Sequence, residues 1–449
     1  MSLVPWWYFE RGGAVVLSPQ EQLDRPTLQA LQRERLGWTV RHAYDHVPFY
    51  RGLLDGAGVD PLAETLPEDL ASLPFTRKGD LRDQYPFGLF AVPRSDVLRV
   101  HASSGTRGKP TVVGYTRGDL EVWAECCARS LALAGAQPGD LLHNAYGYGL
   151  FTGGLGLHQG AERLGLTVVP ASGGATQRQV QLLADFQADG IACTPSYLLN
   201  IADAIDASGL PRSAFRLRYA VLGAEPWTES MRRQIEQRLG VDAIDIYGLS
   251  EVIGPGVGCE CREEKDGLHL MEDHFLVEVV DPETGEVLED GTVGELVFTS
   301  LTKEAFPILR YRSGDLASID RRPCSCGRTT ARMSRIKGRT DDMLIIRGVN
   351  VFPSEIEAVL LRQPDIAPHY EVVIYRARNL DVLEVRAELT TEFVQRHRVD
   401  SEFARLLASR AAEAIRGEIG VAVEVQLMAP HSVPRSEGKA RRVQDLRNA

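Results

Sequence analysis

The chain has 449 residues, a formal net charge of −11 and a pI near 5.5. That length suits two or three domains with a large core, and the acidic balance argues against nucleic acid or an anionic membrane as the main partner. Seven cysteines in so long a chain make no disulfide scaffold, and their odd number favours free thiols or metal ligands.

The opening "MSLVPWWYFERGG" has no basic leader followed by an apolar run. No apolar stretch approaches the roughly 20 residues that span a bilayer. A cytoplasmic protein without membrane contact is expected. Leu28, Leu31, Leu36 and Val40 recur near helical spacing, which predicts a helix within residues 18–55 that Pro48 ends. "VLRVHAS" (97–103) and "TVVGYT" (111–116) alternate as strands, and "DLEVWAECCARSLALAGA" (119–136) reads as a helix stopped by glycine.

From there to about residue 250, short apolar strands ("LTVVPA", "GIACTP", "RYAVLGA") alternate with helical connectors ("TQRQVQLLADFQ", "WTESMRRQIEQRLG"). That rhythm predicts a doubly wound α/β fold. Residues 268–320 change to strand–turn–strand, so a β-rich subdomain is expected. After "IKGRTDD" (336–342) a small α+β unit begins.

"HASSGTRGKPTVVGYT" (101–116) looks like a phosphate cradle. The Walker pattern needs four residues between its first glycine and Gly-Lys, followed by Ser or Thr. Here only Thr106 and Arg107 separate Gly105 from Gly108-Lys109, and Pro110 follows. Pro110 pushes Lys109 away from the α region, and the exit is β-branched, so no helix N-terminus receives a phosphate. A hairpin loop can still work: glycines admit backbone N–H groups, Ser103, Ser104 and Thr106 offer hydroxyls, and Lys109 adds charge. Taken alone, an ordinary polar hairpin turn reads the same way.

Other segments narrow the choice. They are "DIYGLSEVIGPGV" (245–257), "YRSGD" (311–315), "GRTDDMLIIRGVNVFPSEIE" (338–357) and "PRSEGKARRV" (434–443). In this order and spacing they resemble the adenylate-forming superfamily of acyl-CoA synthetases, adenylation domains and luciferases. "YGYGLFTGGLGLHQGAERLG" (146–165), "TPSYLLNIA", "EDHF" and "LTKEAFPILRYRSGD" are similar to phenylacetate–CoA ligases and their aryl-CoA ligase relatives, from about residue 20 to the end.

The resemblance implies an N-terminal adenylate-forming domain (1–338, with its β-rich subdomain at about 257–335) and a small mobile α+β lid (339–449). It implies a two-step ligase. A carboxylate attacks the α-phosphorus of ATP, giving an acyl-adenylate and pyrophosphate; the thiol of coenzyme A then displaces AMP. Two anions must meet in the first step, so cations are needed there. By resemblance Lys439 bridges the two, Glu251 holds Mg²⁺, and Tyr247 stacks on adenine beside Ala224 and Glu225. Asp315 accepts the ribose hydroxyls, and Arg339 pairs with phosphate or ribose. Ser103, Ser104, Gly105, Thr106, Gly108 and Lys109 grip the outer phosphates, and Gly248 and Ser250 belong to the nucleotide site. Asp341 is the hinge, with Arg347 and Gly348 on the face that closes for thioester formation. Arg107 and Ser313 stand where threonine is usual.

Tyr146, Tyr148, Phe151 and the glycine-rich run 153–156, with Gly223 and Ala224 as floor, suit a flat ring. The resemblance implies that the acid is phenylacetate or a small benzoate such as anthranilate or a hydroxybenzoate. The alternative acceptor is a carrier protein's phosphopantetheine thiol. A homodimer is implied, with no nucleic-acid partner.

Separately, Cys261, His269, Cys324 and Cys326 fall in the β-rich stretch and are a candidate closed zinc site. Cys259 is an alternative ligand, being on the same strand face as Cys261. Reduced, unliganded thiols are the competing reading. His274 is expected to be structural or on the adenylate side, and Cys126, Cys127 and Cys193 are expected in the core.

Overall fold

The computed structural model describes residues 9–11, 14–16, 18–61, 70–103, 109–340, 344–347, 349–377, 380–435 and 442–447. Strands buried on both faces explain the apolar runs of the middle third. Leu142, Ala192, Val221 and Ile244 point to one apolar cluster, while Ile191, Ala220, Leu222 and Ala243 point to another. This period-2 alternation puts helices on both faces of one sheet.

The parallel strands stand side by side in the order Thr167–Val169, Leu141–Asn144, Gly190–Cys193, Tyr219–Gly223 and Asp242–Leu249. Antiparallel strands Gly254–Glu260, Leu268–Leu270, Arg332–Met333 and Ile319–Asp320 extend the same sheet to nine among the described residues. Three strands that fall wholly within the stretch expected to be a β-rich subdomain thus belong to the main sheet. The separate antiparallel sheet is Phe275–Val280, Gly294–Ser300, Tyr311–Ala317 and Gly338–Arg339.

On one face pack the helices Arg117–Leu133 and Gly153–Leu164. Their approach is close enough that a Cβ on Gly160 would collide with Cys127. The helix Arg117–Leu133 begins two residues earlier than the sequence reading, because Thr116 and Asp119 cap it reciprocally at 3.0 and 2.9 Å. Pro48 does end a helix, Arg25–His46, but it also opens Pro48–Gly56, where its missing N–H costs nothing. Cys126, Cys127 and Cys193 are fully buried, as expected.

Past residue 344 the chain builds its own apolar cluster, drawn from residues 344–421. Helices Pro353–Leu360 and Glu402–Ile419 cover a sheet ordered Val423–Met428, Leu380–Leu389, Ile366–Ala377 and Val443–Asp445. Contacts that join this unit to the rest include Leu361, which enters the second apolar cluster, His369 and Arg435, which approach Asp203 at 3.2 and 4.0 Å, and Ser354, which donates to the Lys337 carbonyl at 2.8 Å. Among the described residues no helix is long and apolar enough to cross a membrane.

The core of the large unit contains a buried ion pair. Arg129 donates to both oxygens of Asp273 at 3.0–3.1 Å, and both side chains are almost fully enclosed. Burial alone would raise the Asp273 carboxyl, but Arg129 and His274 hold it well below the usual carboxylate range. Its contribution is therefore complete above about pH 4 and is lost only as the pH falls further. Arg129→Ala removes the guanidinium partner of that buried carboxylate, leaving His274 beside it, and is expected to cost about 3–5 kcal/mol, read by denaturant unfolding. Arg129→Met with Asp273→Leu is expected to restore most of the loss. A cost below about 1 kcal/mol for the single variant would show the pair to be dispensable.

Candidate active site

The parallel part of the sheet ends at Leu249, and the chain turns back at once into Gly254–Glu260. Gly248 faces Gly254 across this turn so closely that a Cβ would strike the Gly254 carbonyl. Ligand clefts in open α/β sheets form outside the carboxyl ends of the parallel strands. A cavity of about 240 Å³ opens here, over the ends of Asp242–Leu249 and Tyr219–Gly223.

One end of the cavity is polar. Tyr247 donates its hydroxyl to Asp315 at 2.6 Å, and Arg339 pairs with the other oxygen of the same carboxylate. Arg339 lies directly across the antiparallel pair from Asp315, and it also donates to the Ser313 carbonyl at 3.2 Å. Burial, then the Asp315 charge, raises the Tyr247 phenol well above its ordinary value, so it remains a donor. Its ring stacks on Phe298 with centroids 5.9 Å apart. Half-buried Glu251 lines the same cavity. Burial raises its carboxyl, opposed by Lys78 and Arg339. Ser250 meets Thr152 at 3.2 Å.

Ala224 takes a left-handed backbone conformation (φ 70°) just past Tyr219–Gly223. That bend brings Glu225 onto the cavity wall, where its carboxylate also accepts from Ser196 N–H at 2.8 Å. Ser103 reaches the cavity from the base of the glycine hairpin, which its hydroxyl closes by accepting from Thr111 N–H at 3.2 Å. Lys109 is exposed, its ammonium 5.4 Å from the centre of the Tyr85 ring. Ser104, Gly105, Thr106, Gly108, Asp341, Gly348 and Lys439 lie outside the described residues.

The other end is apolar. Tyr146, Phe151, Gly153 and Ile246 line it. Tyr148 is not on this wall. Its hydroxyl is held by Asn144 at 2.8 Å and His158 at 3.1 Å, which turns the ring toward the helix Gly153–Leu164. Gly223 lies behind the wall, pressed against the Ile246 carbonyl.

The structure adds residues that the motifs did not name. Trp227 lines the cavity with Arg335 and Arg232 over its ring, at 4.8 and 5.1 Å. Asp245 also lines it, and burial with the nearby Glu260 charge raises its carboxyl well above the ordinary value. Asp245 stands two positions before Tyr247 on one strand, so strand periodicity alone places both on one face. Met333, Arg335 and Ile336 come from a stretch with no pattern to flag them.

Away from this cavity Cys261, His269, Cys324 and Cys326 converge. Cys259 does not join them; its thiol donates to the Ser130 carbonyl at 3.4 Å on the helix Arg117–Leu133. His274 is buried between Asp273 (3.2 Å) and the Thr302 hydroxyl (2.9 Å).

Residues 90–302 match the AMP-binding enzyme family, and residues 348–447 match the AMP-binding enzyme C-terminal domain. Phenylacetate-coenzyme A ligase of Thermus thermophilus is 57% identical over 95% of this chain and 98% of its own length. That of Escherichia coli is 52% identical over 96% of this chain and 98% of its own. The crystal structure of 2-hydroxyisobutyryl-CoA ligase in its postadenylation state, with a bound acyl-AMP, is 31% identical. It covers 95% of this chain and 91% of that one, with a TM-score of 0.88. In the thioesterification state of the same ligase, the TM-score falls to 0.70 at 96% and 92% coverage and 31% identity. The chain belongs to the phenylacetate–coenzyme A ligase family of adenylate-forming enzymes.

Proposed function

We propose that this enzyme activates a small aromatic carboxylate with ATP and transfers it through an acyl-adenylate to coenzyme A, releasing pyrophosphate and AMP. The observation that carries this reading is the two-ended cavity. Tyr247, Asp315, Arg339 and Glu251 gather at one end, while Tyr146, Phe151 and Ile246 make a ring-sized apolar end. Phenylacetate is the first acid to test, because the similar ligases are named for it. Anthranilate and hydroxybenzoates follow.

In this reading adenine lies against Tyr247, Ala224 and Glu225, and Asp315 exchanges its present donors for the ribose hydroxyls. Arg339, freed from Asp315, turns to phosphate or ribose. Glu251 would hold Mg²⁺ as a hard oxygen ligand, and the ion would supply positive charge against the phosphates. Lys439 bridges the acid and the α-phosphate; a lysine suits this as a mobile point charge on a long stem. The hairpin from Ser103 to Lys109 grips the outer phosphates. The reading includes a homodimer acting in the cytoplasm.

Residues 1–338 would form the adenylation body and 339–449 a lid turning at Asp341. The separate apolar cluster of the C-terminal unit supports this division. So does the higher TM-score with the postadenylation state than with the thioesterification state. Asp203 fastens the present orientation. Burial opposes its ionisation, but His369 and Arg238 hold its carboxyl below the ordinary range.

Pyrophosphate exchange across a panel of aryl acids, followed by detection of the thioester, tests the activity. Exchange with at least one aryl acid and a CoA product are expected. No exchange with any acid would sink the ligase reading, and exchange without a CoA thioester would favour loading of a carrier protein. Lys439→Ala is expected to lower adenylate formation about 100-fold or more while still converting preformed adenylate; equal loss of both steps would count against a lid that swaps its catalytic residues. His369→Ala removes one partly exposed pair. Pyrophosphate exchange is expected to fall about two- to fivefold, with thioester formation from preformed adenylate undiminished. A proportionate fall in both would mean that the pair serves only general stability.

A further inference from the structure

Four soft donors face one another on the outer side of the sheet extension. Cys261 follows the strand Gly254–Glu260, His269 lies within Leu268–Leu270, and Cys324 and Cys326 flank Ser325 in the turn after Ile319–Asp320. All four are buried, and their ligand atoms lie within 4.8 Å of one another. The Cys261 and Cys324 sulfurs are 3.7 Å apart, and the Cys326 sulfur is 3.4 Å from His269 Nε2. A tetrahedral zinc centre, with bonds of about 2.3 Å to sulfur and 2.0 Å to nitrogen, has edges of about 3.8 Å between sulfurs and about 3.5 Å from sulfur to nitrogen. The observed separations match those edges. They are far too long for a disulfide, whose sulfurs sit about 2.0 Å apart.

The surroundings are those of a metal site. Nδ1 of His269 meets the Thr330 hydroxyl at 3.1 Å, which fixes the ring with Nε2 toward the thiols. Buried Arg328 bonds to Cys326 and to Glu21, the latter at 2.7 Å, so a cation adjoins the sulfurs. We propose that Cys261, His269, Cys324 and Cys326 bind one structural Zn²⁺ that locks the outer wall of the nucleotide cavity. Binding forms three Zn–S bonds and one Zn–N bond, and the three thiol protons pass to solvent. No coordination position remains open, so the ion takes no part in the ligase chemistry.

The ion's influence runs in two directions through the chain. His269 pairs with Arg332, and its neighbour Leu268 with Met333; Leu268 and Met333 both line the cavity. The segment leaving Cys326 continues through Met333 to Arg335 and Arg339, both on the cavity wall. In the other direction it clasps the start of the chain: Thr329 N–H donates to the Glu21 carbonyl at 3.0 Å and its hydroxyl to the Leu23 carbonyl at 2.6 Å. The ion would thus cross-link three chain segments that otherwise meet only through side-chain packing and short strand pairs.

The test is metal analysis of the full chain purified without added metal. About one zinc per chain is expected, and the cobalt-substituted protein is expected to show thiolate-to-cobalt charge transfer with tetrahedral d–d bands. Cys261→Ser and Cys326→Ser are expected to lose the metal, while Cys259→Ser, whose thiol faces Ser130, keeps it. Zinc removal is expected to raise the KM for ATP more than it lowers kcat. Less than about half an equivalent in the unaltered chain, together with no cobalt spectrum, overturns the site, as does a Cys261–Cys324 disulfide found by mass. The unaltered chain decides the matter even where the serine variants fail to fold.

Discussion

The turn from Leu249 to Gly254 is the constraint on which the site depends. Carbonyls in this turn and at the start of the following strand are held by donors from distant segments. Lys303 donates to Val252 at 3.3 Å, Tyr115 to Ile253 at 2.9 Å, and Trp123 to Pro255 at 3.0 Å. The three donors form one column. The Lys303 ammonium sits 4.0 Å from the centre of the Tyr115 ring, which stacks on Trp123 with centroids 4.9 Å apart. Burial pushes Lys303 down to about 8, against the attraction of Asp119. A buried carbonyl left without a donor costs as much as a lost hydrogen bond, so each grip fixes the backbone that carries Glu251.

Asp119 ties the same column to the loop behind it. Its carboxylate accepts from Thr116, Glu304 and Ala305 N–H groups at 2.9, 2.7 and 3.0 Å. The loop bearing Lys303 is thereby fastened to a helix N-terminus, where a carboxylate is favourable. The polar end of the cavity is built on the opposite principle. Asp315, Tyr247 and Arg339 satisfy one another, so these groups are paired before any ligand arrives. A rigid turn with a self-satisfied polar triad gives a site that is shaped in advance and exchanges partners when nucleotide enters, which is how preorganised polar sites limit the cost of binding.

What was legible in the sequence follows from physical scale. Three of the five parallel strands were readable because burial on both faces leaves short, largely apolar runs such as "GIACTP", whereas Leu141–Asn144 and Asp242–Leu249 carry polar residues that break such a run. The two-residue strands Ile319–Asp320 and Arg332–Met333 were not, since so short a stretch has no period, and only the sheet edge they pair with defines them. Tyr247, Asp315 and Arg339 were named by motif, and Asp245 was reachable from its place two residues before Tyr247. Trp227 and Arg335 were not, because their meeting is a tertiary event between segments far apart in the chain. The place of Tyr148 was hidden for a similar reason: an aromatic in a glycine-rich run looks like a pocket wall, and only the folded chain shows Asn144 and His158 holding its hydroxyl away from this cavity.

Charge arrangement at the junction with the C-terminal unit bears on how one cavity serves two reactions. Asp203 receives Arg238 from its own body at 2.9 Å, and His369 from the C-terminal sheet at 3.2 Å. The Arg238 pair is internal to the large unit and survives any movement of the lid; the His369 pair does not. An acid that keeps one partner is never left bare, so breaking the His369 pair costs only about 0–1 kcal/mol. A fully buried pair such as Arg129–Asp273 would instead cost about 3–5 kcal/mol to break. On the proposed cycle the lid must leave after every adenylation, and a weak, half-solvated fastening is what permits it to turn over. The strong ion pairs are kept inside the body, where nothing has to move.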